Sequence, residues 1–213
     1  MEELLRVNNL KTHFFTKKGV VPAVDGVSIS VPKSSIVGLV GESGCGKSMA
    51  AMSIMQLIQK PGKIINGSIE LEEDNLLTYS KDEMRNIRGN KISMIFQEPM
   101  TALNPVYTVG RQVREAITIH HSDIGKKEAK QKVLDIFRAV GIPEPERRYN
   151  SYPHQLSGGL RQRVMIGMAM VCNPKLMIAD EPTTALDVTI EAQILSLMKN
   201  LQKERDTSIL MIT

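Results

Sequence analysis

Gly41-Glu42-Ser43-Gly44-Cys45-Gly46-Lys47-Ser48 matches the pattern G-x-x-x-x-G-K-[ST]. The pattern has a physical basis. Its glycines let successive backbone N–H groups face inward as an anion nest. A helix opening at the end of the loop adds its positive N-terminal end. Lys47 supplies a point charge for β- and γ-phosphates, and Ser48 offers a hydroxyl to Mg²⁺. The required context is an apolar strand before and a helix after, and both are present. Residues 36–40 form a Val- and Ile-rich run ending at Gly41. The spacing predicts a helix from Lys47 to about Ile58, stopped by Pro61 and Gly62. A Gly-rich turn is the bland alternative, and a chance match in a chain of this length is roughly a one-in-a-hundred event. Cys45 occupies a free position and reads as a tolerated small residue.

Working outward, residues 4–40 read as strands and turns, and residues 64–71 and 92–96 as further strands. Ala129, Val133, Ile136, Phe137 and Val140 recur at helical spacing up to Gly141. After a Pro- and polar-rich stretch, 143–153, a helix is predicted over 158–172. Residues 176–179 form a short, fully apolar strand of the buried parallel kind. Ile190, Ile194, Leu197, Met198 and Leu201 mark an amphipathic helix, and residues 208–213 begin another strand. Strands and helices alternate at both ends, with helices inserted between. This predicts an α/β fold with a mainly parallel sheet and a helical subdomain near residues 100–160.

The apolar strand at 176–179 runs into Asp180, Glu181 and Pro182. Such a strand end places Asp180 beside the phosphate loop, where it holds the Mg²⁺ shell. Glu181, one residue on, is placed to polarise a water that attacks the γ-phosphate, the catalytic role. A charged turn after a strand is the ordinary alternative, and the phosphate loop favours the chemical reading.

Bulk properties narrow the class. The chain has 213 residues, 42% of them hydrophobic, enough for one α/β domain. Its 27 basic and 23 acidic residues are interspersed, Trp is absent and aromatics are 4%, which argues against nucleic acid as a partner. Two cysteines without CxxC spacing, Cys45 and Cys172, argue against a disulfide framework or zinc site and fit a reducing cytoplasm. No run approaches the roughly 18 apolar residues that span a membrane, so a membrane role requires other chains to cross it.

Leu156-Ser157-Gly158-Gly159-Leu160 resembles the signature of ABC-type ATPases, whose usual form is LSGGQ, with Leu160 in place of the Gln. A Ser hydroxyl and glycine amides at a helix start again suit phosphate. A plain helix cap by Ser157 is the alternative. Gln97 resembles the family's loop that senses Mg²⁺ and the transmembrane partner. Asp187, after Ala185 and Leu186, resembles its dimer loop or serves as the N-cap of the next helix. Phe14 resembles the aromatic that stacks on adenine, with Phe15 an equal candidate and a core strand position the other reading. Residues 97–110 and 152–164 resemble the ATPase subunits of dipeptide and oligopeptide importers, a group that includes nickel uptake systems. His154 precedes the signature and reads as structural.

The resemblance implies a P-loop NTPase (RecA-like) core with an N-terminal antiparallel β subdomain and an inserted ABC-specific α-helical subdomain. Residues 1–213 form one nucleotide-binding domain. Within it, 1–99 and 161–213 are core plus β subdomain, and 100–160 carry the signature. It implies ATP and Mg²⁺ held by residues 41–49, with Met49 closing the set, together with Gln97 and Phe14; Ser48, Gln97 and Asp180 serve the metal. Residues 156–160 close in trans over the nucleotide of a second ATPase subunit. The implied partners are that subunit, two transmembrane permease subunits and, indirectly, an extracellular solute-binding protein, at the cytoplasmic face of the membrane. A nickel or other small-solute importer, an exporter, a non-enzymatic nucleotide-binding regulator and a soluble ABC-type ATPase of DNA repair or translation are the alternatives. The family pattern continues past the last strand with a His on the γ-phosphate. His13, His120, His121 and His154 do not match it, so a C-terminally truncated chain with ATP binding and weak turnover is expected. A C-terminal extension, in some subunits carrying an iron–sulfur cluster, belongs to the same pattern.

Overall fold

The computed structural model describes residues 2–97, 102–184 and 186–213. Two strands, β1 (Glu3–Thr16) and β2 (Gly19–Pro32), form an antiparallel hairpin. β4 (Gly62–Leu71) pairs with the other edge of β1, and β5 (Asp74–Asn75) extends it, giving the order β2-β1-β4-β5. The buried positions of β1 are Leu4, Leu5, Val7, Leu10 and Thr12. The step from Val7 to Leu10 breaks strict alternation because the register shifts there.

The second sheet is wholly parallel. β3 (Ile36–Leu39), β8 (Ser208–Ile212), β7 (Leu176–Asp180) and β6 (Ile92–Ile95) lie in the order β3-β8-β7-β6. Every residue of β7 is buried, as a parallel strand covered on both faces requires. α1 (Lys47–Ile54) joins the two sheets. Its Ala50, Ala51 and Ile54 share one core with Leu5 and Leu10 of β1 and with Ile178, Leu210 and Ile212 of the parallel strands. A buried hydroxyl pair, Thr12 and Ser53 at 2.8 Å, pins α1 to β1.

α1 is one turn shorter than the sequence predicts. Gln56 turns the chain with φ +50°, and Arg88 caps the helix from outside, donating to the Met55 carbonyl at 2.7 Å and the Gln56 carbonyl at 3.0 Å. Among the described residues three helices escaped the sequence reading, two of them before residue 121 and one inside the Pro-rich stretch. α2 (Lys81–Ile87) starts with a reciprocal Ser80–Glu83 capping box. α3 (Val109–His120) buries Val109, Val113 and Ile117 at four-residue spacing. α4 (Lys126–Ala139) follows, then α5 (Pro145–Arg148) inside the Pro-rich stretch, α6 (Gly158–Met170) and α7 (Val188–Arg205). Their apolar faces make a second core around Phe137, Ile166 and Met198. The α/β class and antiparallel sheet are as expected. The expected subdomain boundary at 99/100 lies outside the described residues.

Candidate functional site

The C-terminal ends of the parallel strands gather the predicted chemistry, the usual ligand side of an open α/β sheet. The end of β8 ties the pieces together. The Gly41 N–H donates to the Thr213 carbonyl at 3.4 Å, and the Glu181 N–H donates to the Ile212 carbonyl at 3.0 Å. The phosphate loop after β3 and the acidic turn after β7 are therefore clamped to one strand between them.

Within the loop, Gly44 and Gly46 take φ of +80° and +97°. Gly46 caps α1, and its carbonyl accepts the first helical bond from Ala50 N–H at 2.9 Å. A methyl group there would press inside 3.0 Å of the Ala23 carbonyl oxygen of β2, so only glycine fits. The first turn of α1 holds no acidic residue, so its orphan N–H groups have no local counter-charge. Residues 41–45 are exposed, while Lys47 is buried. The Lys47 ammonium donates to the carbonyls of Gly41 at 2.6 Å and Glu42 at 2.9 Å. Its other neighbour is the Cys45 sulfur at 4.0 Å, a weak acceptor. Met49 is half-buried one position past Ser48.

Ser48 donates its hydroxyl to Asp180 Oδ1 at 3.0 Å. Asp180 is 4% exposed, and burial pushes its carboxyl above the ordinary range. The hydrogen bond from Ser48 and the charge of Lys47 oppose that shift, and the neighbouring Glu181 carboxylate adds to it. No group of three His, Cys, Asp or Glu gathers among the described residues. One carboxylate and one hydroxyl suit Mg²⁺, which is held by one or two carboxylates, waters and substrate phosphates.

Glu181 has φ +45°, a strained conformation for a non-glycine residue that costs about 1–2 kcal/mol. Its Oε2 accepts from the Gln97 amide at 2.7 Å and from the Thr184 hydroxyl at 2.9 Å. Gln97 thus meets the proposed base directly in this chain. Thr184 is a site residue that the sequence reading missed; a threonine three residues past the glutamate is its only trace.

The signature residues lie at the start of α6. Ser157 caps the helix, accepting from Leu160 N–H at 3.4 Å, a long bond, and Ser157 and Gly158 remain exposed. Gly158 and Gly159 face Leu186 and Ile190, and Leu160 packs partly buried against the helical core. Leu156 is buried beneath them. Asp187 caps α7, accepting from Ile190 N–H at 3.0 Å; Ala185 of the same loop lies outside the described residues. The Phe14 ring stands half-buried against Gly62, where a methyl group would come within 2.8 Å of it, whereas Phe15 is 46% exposed beneath Lys63. His154 stacks on Tyr152, with ring centroids 5.6 Å apart.

A family profile described as "ABC transporter" matches residues 24–184. The oligopeptide transport ATP-binding protein AppD of Bacillus subtilis (strain 168) is 56% identical over all of this chain. The dipeptide transport ATP-binding protein DppD of Escherichia coli (strain K12) is 49% identical over 99% of it. The chain spans 65% and 64% of the lengths of these two relatives. A solved dimeric structure of the ATP-binding cassette MJ0796, in a post-hydrolysis state bound to ADP and Pi, superimposes with a TM-score of 0.86. That match is 27% identical and covers 98% of this chain and 87% of the other. With the phosphate loop, the acidic strand end and the signature on one fold, the chain belongs to the ABC transporter family.

Proposed function

We propose that this chain is the ATP-binding and ATP-hydrolysing part of a membrane importer for dipeptides or oligopeptides. The observation that carries the reading is the convergence of Lys47, Ser48, Asp180, Glu181 and Gln97 at one end of the parallel sheet. Phosphates lie against the N–H groups of the loop and the start of α1. Lys47 leaves its two carbonyl partners for the β- and γ-phosphates, a cheap exchange because the ammonium trades one set of acceptors for a more charged one. Ser48, Asp180 and Gln97 are the residues that would hold Mg²⁺, which would supply charge neutralisation on the transferred phosphoryl group. Glu181 takes the proton of the attacking water, held toward it by Gln97 and Thr184. Phe14 is the candidate for stacking on adenine, and the exposed Phe15 is its rival.

Two subunits complete the device. The exposed Ser157 and Gly158 offer a hydroxyl and a backbone amide to a nucleotide on a second ATPase subunit, arranged head to tail, with Asp187 facing the dimer. Residues 100–160 act as a helical unit that moves with two transmembrane permease subunits at the cytoplasmic face of the membrane, and a solute-binding protein delivers cargo from outside. Among the described residues no helix is long and apolar enough to cross a membrane, which fits a peripheral role. Closing and opening of the dimer with nucleotide state drives transport.

Peptide cargo follows the names of the relatives at 49–56% identity; nickel import is the second reading. The test is ATP turnover by the full-length protein reconstituted in proteoliposomes with its membrane subunits and binding protein. Di- or oligopeptides should stimulate turnover severalfold. Stimulation by Ni²⁺ and by no peptide would overturn the peptide assignment.

A further inference from the structure

Gln162 lies in the first turns of α6, five residues past the Ser157 cap, and is fully buried. A buried glutamine on an otherwise apolar helix face has to be explained. Its Nε2 donates to the Pro182 carbonyl at 2.6 Å, a short bond between residues far apart in sequence. Its Oε1 is buried with no partner among the described residues. An unmet buried acceptor costs at least as much as one ordinary hydrogen bond returns. Stability alone therefore gives no reason for glutamine here.

The bond reaches the turn that matters for chemistry. Pro182 follows Glu181, whose backbone is held at φ +45°. The turn is anchored on one side by the Glu181 N–H on Ile212 and on the other by the Gln162 amide on the Pro182 carbonyl. These two bonds bracket Glu181 fore and aft. The side-chain bonds from Gln97 and Thr184 then set where its carboxylate points. Without the Gln162 tether, the strained Glu181 backbone can relax toward the ordinary φ < 0 region and swing the carboxylate away.

We propose that Gln162 is a positioning residue for hydrolysis: it holds the Glu181–Pro182 turn so that the Glu181 carboxylate is aimed at the attacking water. The inference rests on the reading of Glu181 as general base. Gln162 is fully buried and acts through its bond to the turn. Because it rides on the helix that Ser157 caps, it also fixes the signature helix to the base of its own subunit.

The test is Gln162→Leu in the full-length protein, alone and combined with Glu181→Gln. Leucine exchanges one unpaired buried acceptor, Oε1, for another, the Pro182 carbonyl, so thermal stability should stay close to that of the parent. Turnover at saturating ATP should fall about 10- to 100-fold, the usual result of misaiming a catalytic group. Affinity for ATP should change less than about threefold, as for a group acting only in the transition state. In the Glu181→Gln background the same change should alter residual turnover less than twofold, because the group it aims is already gone. Unchanged turnover in a folded Gln162→Leu protein would overturn the inference, as would equal effects in both backgrounds. If Gln162→Leu fails to fold, Gln162→Met, which keeps length without the amide, serves the same comparison. A full-rate Glu181→Gln protein would instead overturn the general-base reading beneath it.

Discussion

Replacing Gly46 by alanine separates two demands on the phosphate loop, backbone conformation and close packing. Gly44 and Gly46 both have positive φ, so alanine at either pays a strain of about 1–2 kcal/mol. Their surroundings differ. A methyl group at Gly44 has nothing within 4 Å, while one at Gly46 lies inside 3.0 Å of the Ala23 carbonyl oxygen. Ala23 cannot yield cheaply, because β2 on either side of it is paired with β1, Pro22 with His13 and Val24 with Thr12. The loop must shift instead, and with it the N–H groups that face phosphate. Gly44→Ala should weaken ATP binding by at most about 5- to 30-fold, the limit reached when the free loop relaxes out of the strained conformation and must regain it to hold phosphate, at 1.4 kcal/mol per decade. Gly46→Ala should weaken it at least a further tenfold. Calorimetric titration with Mg-ATP reads both, with thermal melts to check that each variant folds. Equal affinities for the two folded variants would refute the packing argument, and an unaltered Gly46→Ala would refute the loop as the phosphate site.

Two further outcomes follow from other residues. Ser157→Ala loses a long cap bond, so it should cost under about 1 kcal/mol and lower Tm by roughly 2–4 °C; ATPase activity of the assembled dimer should fall at least tenfold, and a loss no larger than the stability change implies would leave Ser157 a helix cap only. Asp180→Asn should raise Tm at neutral pH in Mg²⁺-free buffer: burial lifts the Asp180 pKa above its usual 3.8, so the ionised form is disfavoured in the folded state at pH 7, and the neutral amide removes that penalty. The same variant should lose the Mg²⁺-dependent gain in ATP affinity, measured by titration with and without the metal.

Much of the site is legible in the sequence because its parts are local. A loop of defined glycine spacing, a strand ending in two carboxylates and a Ser-Gly-Gly helix start each carry their chemistry within a few residues. The parallel sheet is legible for the same reason: residues 176–179 are apolar at every position. Most of what escaped depends on contacts between distant segments; α2 is the exception, since its Ser80–Glu83 capping box is a local signal. The end of α1 at Ile54 is set by Arg88, more than 30 positions away, and not by Pro61. α3 lacks a side-chain cap at Thr108, and its buried stripe of Val109, Val113 and Ile117 is one residue wide per turn, too thin a signal to stand out. The bonds from Gln97, Thr184 and Gln162 to the Glu181 turn arise only when three segments converge. Phe14, an aromatic in the stretch the resemblance points to, is half-buried with its ring against Gly62.

ATP bound at the 41–48 loop and hydrolysed with Glu181 as the base is the function that one substitution probes best. The decisive comparison is of ATP affinity and single-site turnover between the Glu181→Gln full-length protein and its parent. Turnover should fall about 10²- to 10⁴-fold, with the Kd for Mg-ATP within about threefold of the parent. Turnover at the parent's rate, or a loss of ATP binding in parallel with the loss of turnover, would contradict it.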